Sequence, residues 1–273
     1  MSHAILITGA GARLGRAFAT GLAKDGHAIA IHYNRTQSGA QALAQSIQEA
    51  GGTAAIVPGN LFVPEDLDTL VARASTALGR PLTGLINNAS TFTPDTAADM
   101  TRASYDYHMD TNLRAPLMLA GQFARQFREP IAAHASSKPD QQADAFIVNM
   151  IDQRVLKPNP EFFSYSIAKA AMHWATKTLA QEFAPHIRVN AIGPGPSLAS
   201  IHQDAEIFEA EIQSTLLKRG SPPEELLAAM RYLIGARSVT GQLLTVDGGQ
   251  HLAWQDTNID GTGGNNVSGD KHD

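Results

Sequence analysis

Tyr165 and Lys169, four positions apart in FFSYSIAKAAMHWATKTLAQEFA, share one face of a helix if that segment is helical. A phenol with a pKa of about 10 releases its proton slowly at neutral pH, and an ammonium group beside it lowers that value. The pair therefore reads as a general acid. Tyr-x-x-x-Lys also occurs often by chance, as an exposed surface pair, so its neighbours decide what it means.

A second chemical signal lies near the start, in TGAGARLGRAFA from Thr8 to Ala19. It follows an apolar strand pattern and opens a helical one. Gly9, Gly11 and Gly15 let the backbone approach a pyrophosphate, and the helix N-terminus favours its charge. Arg13 stands just before Leu14 and Gly15, where another small residue would suit the turn. A chain that binds NAD places a carboxylate near the end of the second strand, for the adenosine 2′-hydroxyl. No Asp or Glu occurs from Gly26 through Gln48, and the segment after that strand reads Tyr33, Asn34, Arg35, Thr36. Arginine forks match phosphate geometry, so Arg35 with Thr36, joined by Arg13 from the first loop, would suit the 2′-phosphate of NADP(H). The plainer reading of Arg13 is a solvated side chain on an exposed first turn. Asn60, followed by Leu61 after the third strand, is placed to contact adenine.

These residues need a scaffold that brings strand ends together. Apolar runs at 4–8, 28–33, 53–57, 84–87, 145–150, 187–192 and 243–246 alternate with amphipathic stretches. In the first such stretch Leu14, Ala17, Phe18 and Leu22 lie on one helix face, ending at Gly26 after Asp25. Strands alternating with helices imply right-handed βαβ units and an α/β, doubly wound parallel sheet whose strands are buried on both faces. Ligands then bind beyond the carboxyl ends of the strands. With 273 residues, 43% of them apolar, one domain over 1–254 accounts for the pattern. Residues 129–144 read as a surface loop and the polar stretch 255–273 as a disordered tail. A net charge of −5 without basic blocks excludes nucleic acid and membrane surfaces as main partners and leaves a small molecule. The lack of cysteine excludes disulfides and thiol catalysis. No apolar run reaches the roughly 18 residues of a membrane span, so the expected location is cytoplasmic.

Further motifs follow in order: NNAS at 87–90, Asn112 in DTNLRAP, GPGPS at 193–197 and VTGQLLTVDGG at 239–249. The set resembles the short-chain dehydrogenase/reductase family from Ala4 to about Leu252. The resemblance implies a single Rossmann-type domain with a seven-stranded sheet and NAD(P)-dependent hydride transfer. It also implies Asn112, Tyr165 and Lys169 as catalytic residues and cofactor contacts at Asn88, Ala89, Ser90, Pro194, Gly195 and Ser197. Finally, it implies a homotetramer or homodimer joined through the long helices beginning near Asn112 and Phe163.

Most members carry a serine thirteen residues before the tyrosine, where this chain has Asp152. With TGAGARLG, HYNRT, NNASTF and GPGPS, that feature is similar to the pteridine reductase branch, which includes dihydromonapterin and dihydrofolate reductases. There Asp152, Tyr165 and Lys169 would act on a C=N bond of a pterin, Phe92 would stack on it and Ser197 would lie near it. Imine reduction adds hydride to carbon and a proton to nitrogen, so the site needs an acid, which Asp152 supplies, more than an oxyanion stabiliser. Phe92 offers a flat apolar wall. The plainer alternatives are a loop carboxylate salt-bridged to Arg154 and a phenylalanine packed in the core. His32, His108 and His173 lack metal-ligand spacing and read as surface or packing residues, so no metal is expected. The leading expectation is an NADPH-dependent pterin or folate reductase. A reductase of ketones, sugars or 3-oxoacyl groups comes second and a silent NADPH-binding protein third. Residues 196–219 are expected to cover the substrate, with Ile201, Ile207 and Phe208 as an apolar wall and His202 and Gln203 as polar readers.

Overall fold

The computed structural model describes residues 2–127, 144–199 and 204–254. The expected loop, apart from Asp144, and the tail at 255–273 lie outside these residues, as do Ile201, His202 and Gln203. Among the described residues, seven strands form where apolar runs predict them: β1 Ala4–Ile7, β2 Ala28–Tyr33, β3 Ala54–Pro58, β4 Gly84–Asn87, β5 Ala145–Met150, β6 Ile187–Pro194 and β7 Leu243–Val246. Boundaries differ from expectation by a residue or two, because a hydrogen-bonded ladder ends where the partner strand ends and not where hydrophobicity does. All pairings are parallel, in the order β3-β2-β1-β4-β5-β6-β7.

Eight α-helices of the described residues flank this sheet: α1 Arg13–Lys24, α2 Gln37–Glu49, α3 Pro64–Leu78, α4 Arg102–Met109, α5 Ala115–Arg125, α6 Phe163–Phe183, α7 Ala205–Ser214 and α8 Pro223–Gly235. A π-helical turn, Asp110–Arg114, joins α4 to α5. The period of two along each strand divides the core. Ile5, Ile7, Ile29, Ile31 and Val148 pack with Phe18, Leu22, Leu43 and Met230 under α1, α2 and α8. Leu6, Ala30, Leu85 and Ile147 pack with Leu70, Leu119 and Phe123 under α3 and α5. Burying a side chain such as Phe18 or Phe123, both at 0% exposure, contributes roughly 2–3 kcal/mol each.

The order of connection reverses between β1 and β4, which are neighbours in the sheet. A crevice opens at such a point, beyond the carboxyl ends of the strands. The segments that leave β1, β4, β5 and β6 carry most of the residues singled out above.

Candidate active site

The start of α1, like that of α2, carries neither a side-chain cap nor an acid in its first turn. Helices α3 and α8 begin instead with proline followed by two acidic residues. The free N–H groups and positive dipole end of α1 are left for an external anion. A Cβ on Gly15 would lie 2.5 Å from the Gly9 carbonyl oxygen and 2.6 Å from Asn88 Nδ2, so only glycine lets the turn close this tightly. These features fit a dinucleotide pyrophosphate.

Buried polar groups lock the turn in place. Thr8 Oγ1 accepts from the Asn88 and Ala89 N–H groups, both at 2.9 Å, and Asn88 Nδ2 donates to the Thr8 carbonyl at 2.9 Å. His32 is 1% exposed. Its Nδ1 accepts from Gly9 N–H at 3.0 Å, so Nε2 carries the proton and donates to the Gly59 carbonyl at 3.0 Å. Burial pushes its pKa down to about 4. Of the two readings, surface or packing, the structure gives His32 the buried one, as a neutral tether between the glycine turn and the segment after β3.

Asn34, Arg35 and Thr36 are exposed at the end of β2, and Asn34 Nδ2 lies 3.4 Å from Asn60 Oδ1. Tyr33 and Leu61 are packed in the core beneath this surface. Arg13 departs from expectation. Its φ is +50°, a conformation better suited to glycine, and its guanidinium donates to the Leu198 and Ala199 carbonyls, both at 3.0 Å. It lines the cleft before Tyr165, whose lining does not include Arg35. In this structure Arg13 thus bonds to the loop after β6, while Arg35 is exposed with Asn34 and Thr36 at the β2 end.

That cleft has a volume of about 900 Å³. Leu14, Ser90, Pro194, Gly195 and Ser197 line it, with Ile207 and Phe208 of α7 on the apolar side. At its floor Tyr165 Oη donates to Asp152 Oδ2 at 2.8 Å. Asp152 Oδ1 accepts from the Arg154 N–H at 2.8 Å, and Arg154 Nη1 lies 3.3 Å from Oδ2. The carboxylate is thus paired with Arg154, as the plainer reading has it, and with Tyr165 as well. Lys169 Nζ donates to the Met150 carbonyl at 2.8 Å and lies 5.6 Å from the Tyr165 ring centre.

The electrostatics correct one expectation. Tyr165 is not acidified in the free chain: burial, then the adjacent Asp152, pushes its pKa well above 10. Burial lowers Lys169 to about 8, against the pull of Asp152. The phenol is therefore held protonated, with its proton shared toward a carboxylate. Asn112 is also placed differently from a direct acid–base partner. Nδ2 donates to the Thr91 carbonyl at 3.0 Å, and Oδ1 accepts from Ser90 Oγ at 2.8 Å and Thr91 N–H at 3.2 Å. It fixes the chain leaving β4 and bonds to neither Tyr165 nor Lys169.

Phe92, for which the plainer reading was a place in the core, belongs to neither face of it. It stacks on Phe162, with centroids 4.0 Å apart and planes inclined by 7°, and meets Tyr165 edge-on at 4.8 Å. Other residues of the site carry no signal in the sequence. At the start of α6 the Asp95 carboxylate accepts from Ser164 N–H at 3.0 Å and from Ser164 Oγ. His108 Nδ1 must then donate to Ser164 Oγ, at 2.6 Å, while Nε2 accepts from Thr93 N–H at 3.2 Å. His108, expected at the surface or in packing, is 0% exposed and anchors the start of α6 through Ser164. Only the fold brings residues 93, 95, 108 and 164 together. Among the described residues no group of His, Asp or Glu has metal-binding geometry, and no helix is long and apolar enough to cross a membrane.

Comparison with known proteins agrees with this arrangement. Residues 3–209 match the family model described as short chain dehydrogenase. The chain is similar to the crystal structure of FolM alternative dihydrofolate reductase 1 from Brucella suis in complex with NADP. The TM-score is 0.83 and the identity 40%, covering 93% of this chain and 97% of that one. It is 30% identical to 3beta-hydroxysteroid dehydrogenase 1 of Eggerthella lenta, over 91% of this chain and 93% of the relative. It is 27% identical to dihydromonapterin reductase of Shigella sonnei, over 91% of this chain and 96% of the relative.

Proposed function

The chain belongs to the short chain dehydrogenase family, and on that premise we propose that it uses NADPH to reduce a carbon–nitrogen double bond in a pterin or folate-type heterocycle. The observation that carries this reading is the 2.8 Å contact between Tyr165 Oη and Asp152 in a cleft also lined by Phe92. The likeness to the FolM and dihydromonapterin reductases supports it.

When bound, the nicotinamide supplies hydride to carbon. The chain must deliver a proton to nitrogen, and Tyr165 Oη carries one at the cleft; because burial makes this phenol a weaker acid, the nearby Lys169 cation has to offset that burial for the transfer to occur. Lys169 ties the helix to the end of β5 through Met150 and brings a cation near the ring. The N-terminus of α1 would hold the pyrophosphate, Arg35 and Thr36 the 2′-phosphate, and Asn60 the adenine. Asn88, Ser90, Pro194 and Gly195, which line the cleft, would border the nicotinamide half together with Ala89, and Ser197 the substrate.

Subunit pairing through α5 and α6 belongs to the same reading, since Met118 and Trp174 are exposed there at 44% and 70%. Sedimentation showing only monomer at micromolar concentration would refute it. The function itself is tested by NADPH oxidation with dihydrobiopterin, dihydromonapterin, dihydrofolate, a diketone and a 3-oxoacyl thioester, with NADH in parallel. Turnover of a pterin or dihydrofolate with NADPH preferred is expected. Turnover of the carbonyl compounds alone overturns the proposal.

A further inference from the structure

We propose that Phe162 is a specificity-determining residue: it backs Phe92 and holds that ring in one plane, so that the cleft wall accepts a flat conjugated ring in preference to an aliphatic carbonyl compound. This inference rests on the function proposed above.

Phe162 has φ +53° and ψ 48°, the left-handed region. For a bulky aromatic residue that is a true outlier, and such strain persists only where the surroundings over-determine it. Here it is imposed from two sides. On one side Asp95 holds the start of α6: its carbonyl accepts from Phe163 N–H at 3.0 Å and its carboxylate from Ser164 N–H at 3.0 Å. On the other the Phe162 ring is stacked on Phe92, at 4.0 Å and 7°. Glycine would adopt this backbone without strain. Burial alone does not explain a phenylalanine there, because the side chain is only half-buried and lies outside the core clusters.

The stack has a consequence inside the cleft, which both rings line. Phe92 is fixed by Phe162 in parallel and by Tyr165 edge-on at 4.8 Å, so the wall and the proton-bearing phenol keep a set angle of 76°. The Arg154 guanidinium lies 5.5 Å from the Phe92 centre and 5.4 Å from that of Phe162. Arg154 is thus a cation close to both rings, and it also reaches Asp152 at 3.3 Å. The two rings, Arg154, Asp152 and Tyr165 therefore form one connected surface. A Phe92 ring without its backing partner could tilt, and a planar substrate would lose most from that.

The test compares Phe162→Gly, Phe162→Leu and Phe162→Tyr with the parent, measuring Tm, NADPH Kd, and kcat and KM for dihydromonapterin and for a diketone. Phe162→Gly is expected to keep or raise Tm, because it removes strain, and to leave NADPH Kd unchanged. Its KM for the pterin should rise about two- to tenfold, the range for loss of one aromatic pair, with kcat less affected and the preference over the diketone reduced to the same extent. Phe162→Tyr should behave as the parent, and Phe162→Leu should not restore the pterin KM. An unchanged or lower pterin KM in Phe162→Gly, or full recovery by leucine, overturns the inference, since the ring would then be packing or a block. If the parent reduces no pterin or dihydrofolate, the function proposed above falls first.

Discussion

Acidification should loosen this protein at its cofactor turn, through His32. The ring accepts from Gly9 N–H and donates to the Gly59 carbonyl, so it must be neutral. A second proton on Nδ1 would set donor against donor. Burial lowers its pKa from 6.5 to about 4. Between those values the unfolded chain binds the proton and the folded chain does not, so stability rises with pH across this window and is lost as pH falls through it. At about 1.4 kcal/mol per pH unit, the interval corresponds to about 3 kcal/mol, which for a chain of this size is roughly 6–12 °C in Tm. His3, lowered by burial to about 4, adds a loss in the same direction. The specific test is His32→Gln, whose amide can both accept and donate but does not titrate. Urea unfolding from pH 7 to pH 4 should show the parent losing about 3 kcal/mol more than the variant. NADPH affinity should likewise weaken more steeply in the parent, because the turn proposed to hold it is untied. Equal pH slopes for the two proteins would refute the tether.

Three further outcomes follow from the site. Asp152→Ser should reduce kcat for a pterin by at least about a hundredfold, the lower range for general acid–base groups, and an unchanged kcat would remove Asp152 from the mechanism. Arg35→Ala should raise the KM for NADPH by roughly ten- to a hundredfold while leaving NADH unaffected, the loss of one charge-assisted phosphate contact; equal effects on both cofactors would place the 2′-phosphate elsewhere. Lys169 has its pKa lowered by burial from 10.5 to about 8, so its charge destabilises the fold by about 3 kcal/mol below pH 8, a penalty relieved as pH rises toward 10. Lys169→Met should abolish that rise in stability between pH 8 and 10, and a parent with no such rise would contradict the buried ammonium.

The sheet was legible in the chain because a parallel strand covered on both faces must be largely apolar, and the seven runs from Ala4 to Val246 are, with His32, Asn87, Asn149 and Asn190 as buried polar exceptions. The Tyr165–Lys169 pair proposed as catalytic was legible too, since four-residue spacing on a helix needs no tertiary information, and so was the glycine turn proposed to hold phosphate, whose glycines serve a local backbone shape. Asp152, thirteen residues before Tyr165, could be singled out by position, but its 2.8 Å contact with the phenol depends on how β5 lies against α6. Orientation and charge state were not legible. Whether Lys169 acidifies Tyr165 depends on burial, and burial has the opposite effect on the phenol. The sequence places Arg13 in the first loop but does not show that its guanidinium bonds to the carbonyls of residues 198 and 199. His32, His108, Asp95 and Phe162 are silent in sequence because each acts on a group 15 to 70 positions away, or through a backbone angle. One-dimensional pattern records which face of an element is apolar; only the packed fold decides which polar groups lose water together, and that loss sets the proton positions on which the site depends.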